Sequence, residues 1–238
     1  MDTARIATLL APFLAQPLSP SQLDQISTYV DLLLRWNARI NLTAIRNEDE
    51  IVTRHFGESF FLAGHVLTDE TVESEPACPS AGDPSQRCVG EPFRVADIGS
   101  GAGFPAIPLK MWSPAIDLTL IESNHKKATF LREVARTLGL KGVEVRSERA
   151  ESLASDPSFR RTQLVTLRAV EHFESILPQA EALLAANGTV ALLIGSAQLP
   201  LLKRRTQLTW NSPIPVPQSN TRVLSTGTKS LKWKTISL

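Results

Sequence analysis

Val95-Ala96-Asp97-Ile98-Gly99-Ser100-Gly101-Ala102-Gly103-Phe104-Pro105 decides the fold of this chain. Strand-forming residues (Phe93, Val95, Ala96, Ile98) run into the carboxylate of Asp97, then three glycines stand at alternate positions. A helical pattern follows from Phe104 to Trp112. Without a Cβ, each glycine lets the backbone turn sharply and approach a bound molecule closely. A helix opened by such a turn aims free N–H groups at whatever lies in it. Strand, glycine turn and helix in that order form a ligand site.

The spacing says which ligand. A dinucleotide turn reads G-x-G-x-x-G and carries its third glycine beside a pyrophosphate. Here the pattern is G-x-G-x-G, and no Gly-Lys-Ser/Thr follows, which excludes a triphosphate loop. The next strand, Asp117-Leu118-Thr119-Leu120-Ile121-Glu122, ends in an acid 23 residues after Gly99. An acid there accepts from two ribose hydroxyls, which both NAD and S-adenosyl-L-methionine carry. Asp97 separates the two, because a carboxylate at the loop mouth repels a pyrophosphate and suits the cationic methionine end of the second. Asp97, Gly99, Gly101 and Glu122 are therefore expected to line a cofactor site.

Outward from that site, the chain from Phe93 alternates strand and helix. Strands are expected near 93–98, 117–122, 142–147, 163–169 and 189–194, and helices near 104–112, 124–138, 174–186 and 197–206. Alternation of this kind builds a parallel sheet with helices on both faces, an α/β fold whose ligands sit beyond the carboxyl ends of the strands. Gly99, Glu122, the 148–151 turn and Arg168 all fall at such ends. Prolines at 213, 215 and 217 forbid a helix and favour an extended edge, with antiparallel strands from 221 to 236 closing the sheet.

Upstream, Ile6, Leu9, Leu10, Phe13 and Leu14 fall on one helical face. Ser19-Pro20-Ser21-Gln22 reads as a capping box with proline at the first helical position. Trp36 to Thr43 reads as an exit turn fixed by side-chain hydrogen bonds, and Asn47 with Glu50 caps a helix from Ile51 to Leu67 that carries His55. Residues 1–68 thus form a helical N-terminal extension and 93–238 the core. Between them, residues 69–92 hold six acids, four prolines and one basic residue, the composition of a linker or insertion. Cys78 and Cys88 have no partner pair for zinc, so no metal site is expected.

Hydrophobic residues make up 42% and charged ones 21%, an ordinary globular balance without an apolar run that could span a membrane. Net charge of +1 hides a skew: residues 182–238 carry seven basic groups and no acid. An anionic partner, RNA first, is the reading for that tail.

Taken together, Trp36-Asn37 with Ile40-Asn41-Leu42-Thr43, the Asp97–Pro105 turn, Leu120-Ile121-Glu122-Ser123 with Lys126-Lys127 and Phe130-Leu131, then Arg149-Ala150-Glu151 and Arg168-Ala169-Val170 resemble the ribosomal RNA small-subunit methyltransferase G family, also called glucose-inhibited division protein B. The resemblance covers roughly residues 25–195. It implies a class I S-adenosyl-L-methionine-dependent methyltransferase fold, Rossmann-like, with a mostly parallel seven-stranded sheet and a helical N-terminal extension. It also implies methylation of a guanine N7 in 16S rRNA of the small ribosomal subunit. The amphipathic reading of the N-terminus, against a signal peptide, and the lack of a membrane-length apolar run place the chain in the cytoplasm as an expectation, with no membrane partner. Oligomeric state is open, with a monomer favoured. Matched by position, cofactor contacts would be Gly99, Phe104 as an apolar wall, Ala150 and Glu151 at the adenine, and Arg168. RNA-holding candidates are Lys126, Lys127, Lys203, Arg204 and Arg205, with Arg46, Arg54 and Arg132. Three positions depart from the family pattern: Ala106 for glycine, Glu58 for aspartate, and Ile194 for the lysine before Gly195. No histidine or cysteine near the loop ends offers itself as a base, so catalytic residues stay unassigned. Two other readings remain: a methyltransferase acting on a small molecule or protein, and a catalytically silent RNA-binding relative.

Overall fold

Strand residues alternate in what they bury, and this alternation assembles the molecule, here a computed structural model that describes residues 1–68, 92–168, 173–202 and 207–229. Val95, Leu118, Leu120, Leu164, Ala191 and Leu193 face one apolar cluster, while Ala96, Ile98, Ile121, Val165, Leu167, Val190 and Leu192 face another. Successive side chains of a strand point to opposite sides, so a sheet with both faces covered reads as a continuous apolar run.

The strands are β1 (Arg94–Ile98), β2 (Asp117–Ile121), β3 (Val143–Arg146), β4 (Thr162–Arg168), β5 (Leu184–Gly195), β6 (Leu208–Trp210), β7 (Ile214–Pro215) and β8 (Arg222–Lys229). Their order is β3-β2-β1-β4-β5-β8-β6. The first five are mutually parallel, and β8 runs antiparallel to β5. The outermost lane is shared, since β6 pairs with β8 opposite Gly227–Lys229 and β7 pairs with it opposite Val223 and Leu224. Pro213, Pro215 and Pro217 lie in this edge lane, where a missing N–H costs no central ladder bond. Chain order reverses between β1 and β4, the crevice where open α/β sheets hold ligands.

One face is covered by α1 (Thr3–Leu10), α2 (Pro20–Asn37), a short helix α3 (Glu48–Glu50), a π-helical stretch Ile51–Gly57, α4 (Glu58–Val66), α5 (Ala106–Trp112) and α6 (His125–Thr137). The other is covered by α7 (Ala150–Ser155), α8 (Phe173–Leu183) and α9 (Leu199–Leu202). Helices of residues 1–68 share one cluster with the sheet: Tyr29, Phe56 and Phe60 are fully buried beside Val95 and Leu118.

Local signals explain the boundaries. Ser19 and Gln22 exchange both capping-box bonds at the start of α2, a cap worth about 1 kcal/mol. Asn37 accepts from the N–H of Leu42 and Thr43 and donates to the Thr43 carbonyl, which fixes the exit turn. Asn47 caps α3 through the Glu50 N–H. The expected single helix from Ile51 to Leu67 is instead π-helical to Gly57 and α-helical to Val66. Similarly, α5 starts at Ala106 because Phe104 and Pro105, joined by a cis peptide, belong to the turn. Helix α8 stops at Leu183, and β5 begins at once, with a register shift against β4 where Asn187 has φ 59°. The linker at 69–92 (apart from Pro92), both cysteines, Lys203 to Arg205 and the chain after Lys229 lie outside the described residues.

Candidate functional site

At the glycine turn, the backbone does what the spacing required. Gly99, Gly101 and Gly103 have φ of 69°, 54° and 87°. These left-handed values cost other residues about 1–2 kcal/mol. A Cβ on Gly99 would meet nothing within 4 Å, so the turn opens onto free space there. Gly103 has no such room, with the Tyr29 hydroxyl and Ile107 against it.

Glu122 closes the turn from the next strand. Its Oε2 accepts from the Gly101 N–H at 2.9 Å, and its Oε1 from the Asn124 N–H at 2.8 Å. A carboxylate offers about four acceptor positions, so two remain for a ligand's paired hydroxyls. Asn124 in turn caps α6 by accepting from the N–H of Lys126 and Lys127.

Asp97 lies at the end of β1, 1% exposed. Its Oδ1 accepts from the Thr166 hydroxyl at 2.6 Å, and its Oδ2, fully buried, has no partner among the described residues. Burial raises its carboxyl to about 7, against the Thr166 bond; the nearby Glu122 raises it further and Arg168 lowers it.

On β4, the Arg168 side chain is 8% exposed. It donates to Glu58 Oε2 at 3.1 Å and to the Arg54 carbonyl, while its Nη1 is buried without a partner among the described residues. The π-helical stretch makes this contact available. The Glu58 N–H bonds to the carbonyls of His55 and Thr53, which leaves the Arg54 carbonyl to Arg168. Sequence periodicity carried no sign of it, although π-helical turns recur at functional sites. Glu58 also pairs with Arg222 at 3.6 Å. Burial pushes Arg168 down to about 10, still protonated at neutral pH.

His55 stacks on Phe104 at 4.7 Å, and Phe104 stacks on Tyr29 at 5.2 Å. Both faces of Phe104 are therefore taken, and Phe56 meets it edge-on, so the expected apolar wall has at most a rim to offer a ligand. Burial, with Arg168, Arg54 and Arg222 adding to it, lowers His55 to about 2. The imidazole stays neutral, and its Nε2 lies 2.8 Å from the Thr43 hydroxyl.

Of the remaining candidates, Ala150 is buried at the start of α7 and Glu151 is exposed, bonded to Gln179. Lys126 is exposed and Lys127 half-buried. Arg132 is tied to Val145 and Ser147 at the end of β3. Two of the seven C-terminal basic groups are likewise bound inward: Arg222 to Glu58, and Lys229 to the carbonyls of Glu181 and Leu184 at the end of α8. Ile194 is buried in the second cluster, so this departure does not face a substrate. A separate cleft of about 480 Å3, lined by Arg94, Asp117, Thr119, Glu144 and Thr162, lies at the starts of the strands. The glycine turn and the acids sit at the other end.

Sequence comparison matches residues 22–73 and 85–215 to the family described as GidB, rRNA small subunit methyltransferase G. The interruption falls inside the acidic segment. The protein named ribosomal RNA small subunit methyltransferase G from Streptococcus equi subsp. zooepidemicus (strain H70) is 33% identical over 219 residues, 87% of this chain and 83% of its own. Its namesake from Streptococcus suis (strain 05ZYH33) is 35% identical over 195 residues, 80% and 73% of the two chains. Among solved structures, one from Klebsiella pneumoniae described as an O-methyltransferase superposes with a TM-score of 0.61 at 16% identity, covering 91% of this chain and 93% of its own. A ribosomal protein L11 methylase from Lactobacillus delbrueckii subsp. bulgaricus gives 0.51 at 19% identity, covering 73% and 79%. With turn, sheet order and sequence in agreement, the chain belongs to the GidB family, rRNA small subunit methyltransferase G, and is a methyltransferase of the S-adenosyl-L-methionine-dependent class.

Proposed function

We propose that this protein methylates N7 of a guanine in the 16S rRNA of the small ribosomal subunit, in the cytoplasm. The family match over most of the chain carries the rRNA part, through the name its relatives share. Among the described helices, none is long and apolar enough to cross a membrane.

Within that reading the buried atoms without partners acquire a use. Arg168 Nη1 is a donor and Asp97 Oδ2 an acceptor, and each perturbs the other's charge. Together they suit the carboxylate and ammonium of an amino acid, the methionine end of the donor. The two open acceptor positions of Glu122 suit its ribose hydroxyls, with Ala150 and Glu151 at the adenine and the rim of Phe104 against its body. Gly99 leaves the space in which the donor lies. When bound, S-adenosyl-L-methionine supplies a methyl group on a sulfonium.

Guanine N7 carries a lone pair that is free at neutral pH, so attack on that methyl needs no proton removed first. A neutral His55, fixed by stacking and by Thr43, agrees with a site that works without a histidine base. The protein's part is to align the two reactants, an effect that supplies about 7–11 kcal/mol. Duplex RNA buries N7 in a deep, narrow groove, which requires a loop or splayed-out base. Lys126, Lys127, Arg46 and Arg54 are the candidates to hold the backbone, together with Lys203, Arg204 and Arg205.

One observation favours a second reading. Asp97, near 7, has the proton affinity of a general base, which methylation at guanine N1 or N2 would require. Labelled donor incubated with naked 16S rRNA and with intact small subunits, followed by mapping of the label, separates the two. Label on a guanine N7 is the expected result. Label at N1 or N2 assigns Asp97 the base role, and no transfer to either RNA overturns the rRNA reading.

A further inference from the structure

Helix α2 carries a stripe of three hydrogen-bond donors at Gln22, Gln25 and Tyr29, spacings of three and four that share one helical face. Each ends on a main-chain carbonyl of the core. Gln22 Nε2 donates to Met111 in the last turn of α5 at 2.9 Å, and Gln25 Nε2 to Leu138 at the end of α6 at 3.2 Å. Tyr29 Oη donates to Ala102, between the second and third glycines, at 2.5 Å. The first two bonds satisfy helix ends, a structural need. Tyr29 does something different, because no helix end lies at Ala102.

Backbone bonds tie Gly99 and Ser100 to Ile121 and Gly103 to Ser100, and two side chains from outside the turn brace the stretch between them. Glu122 takes the Gly101 N–H from the β2 side, and Tyr29 takes the Ala102 carbonyl from the opposite layer. The peptide groups on either side of the Gly101–Ala102 peptide are thereby fixed, and with them the left-handed backbone of Gly101 and Gly103. The Tyr29 ring lies flat on Phe104, the residue on which the turn ends, and is fully buried. Its hydroxyl crowds Gly103 so closely that no Cβ would fit. Burial and Asp97 hold the phenol protonated well above its ordinary range, so its proton always faces the carbonyl.

We propose that Tyr29 is a positioning residue for the methyl donor, acting through the Ala102 carbonyl to keep the glycine turn in its binding shape. The proposal rests on the donor site described above and extends it to a residue 73 positions upstream of Ala102, in the helical layer packed against the sheet. It follows that the docking of α2 and the occupancy of the donor site are coupled, and by linkage each strengthens the other.

Tyr29→Phe keeps the ring contacts and removes the one bond, and Gln25→Ala removes a bond of the same stripe that does not reach the turn. Calorimetry with S-adenosyl-L-homocysteine, without RNA, reads the difference. For Tyr29→Phe the expected dissociation constant rises about tenfold, the scale of one buried hydrogen bond. For Gln25→Ala it stays within about twofold, whatever happens to the unfolding midpoint. In turnover assays, Tyr29→Phe raises KM for the donor and leaves kcat at saturating donor within about twofold. An unchanged constant in Tyr29→Phe, or an equal rise in Gln25→Ala, overturns the proposal. Hydrogen exchange on the unmutated protein tests the same coupling without a variant: saturating ligand slows exchange at 99–104 and also across 26–33. Slowing confined to the turn overturns it. If the unmutated protein binds no ligand at all, the donor reading itself has failed, and the proposal with it.

Discussion

Two acids end neighbouring strands, and the structure treats them in opposite ways. Glu122, after β2, has a backbone N–H on each oxygen. Asp97, closing β1, takes the Thr166 hydroxyl on Oδ1, while its Oδ2 and one terminal nitrogen of the nearby Arg168 have no hydrogen-bond partner among the described residues. The first region is complete before any ligand arrives, whereas the second keeps unmet polar groups out of water. A buried polar atom without a partner costs about 1–3 kcal/mol, and a charged one more. On the proposed reading, the ribose end of the site is thus pre-formed, and the amino-acid end gains its missing bonds from the ligand.

The largest effect that sharpens this contrast is on stability. Arg168→Met leaves the buried Glu58, among the described residues, with only Arg222 as a charged partner, at 3.6 Å. Breaking a buried pair on one side should cost about 3 kcal/mol, read from urea unfolding. The double variant with Glu58→Gln should recover most of it. A single-variant loss near zero would mean that the pair is held for the ligand alone.

Next is Glu122→Ala, which frees two backbone N–H groups and removes the ribose acceptor. Charged hydrogen bonds are worth about 1.5–3 kcal/mol, so donor affinity should fall by about 10–100-fold in calorimetry. Equal affinity would show that the pre-formed end is mere loop bracing.

At the other acid, pH is the probe. Asp97 is held near 7 in the folded protein against about 4 unfolded, so the folded state keeps a proton that the unfolded state has released. Stability is therefore lost as pH rises from about 4 to about 7, and the loss is complete above 7. The donor's ammonium favours the ionised form, so its affinity should rise by up to about tenfold per pH unit below 7 and level off above it. Asp97→Asn should flatten that profile. A profile unchanged by the substitution would place the ammonium elsewhere. His55, near 2, contributes nothing to it.

Smallest is Lys126→Ala with Lys127→Ala. Donor affinity should not move, since these side chains lie outside the turn. Binding to 16S rRNA should weaken uniformly across sequences, with the slope of affinity against salt reduced by about 1–2.

Much of this was legible in the chain. The three glycines demanded left-handed backbone, and they have it; the Ser19–Gln22 box and the Asn47 cap begin helices where they were expected. The parallel sheet with helices on both faces followed from the alternation of strand and helix, whereas the order of its strands came only with the structure. What escaped was long-range. Period 3.6 cannot reveal that Ile51–Gly57 winds as a π-helix, nor that the Arg54 carbonyl it frees is met by Arg168, 114 positions away. Phe104 read as a wall from its place in the motif, yet Tyr29 and His55, both from upstream helices, cover its two faces. Glu58 stood out only as a departure, and its partners Arg168 and Arg222 come from β4 and β8. Basic residues near the C-terminus suggested an anionic partner, while Arg222 and Lys229 bind inward. Composition counts charges and does not show what they face.

The most direct measurement is a crystal structure of the protein with S-adenosyl-L-homocysteine. The expected result has the ligand across the ends of β1, β2 and β4, its ribose hydroxyls on Glu122 and its amino-acid group between Asp97 and Arg168. A ligand in the cleft lined by Arg94, Asp117 and Thr162 at the other end of the strands, or one that leaves Asp97 and Arg168 unpaired, would contradict it.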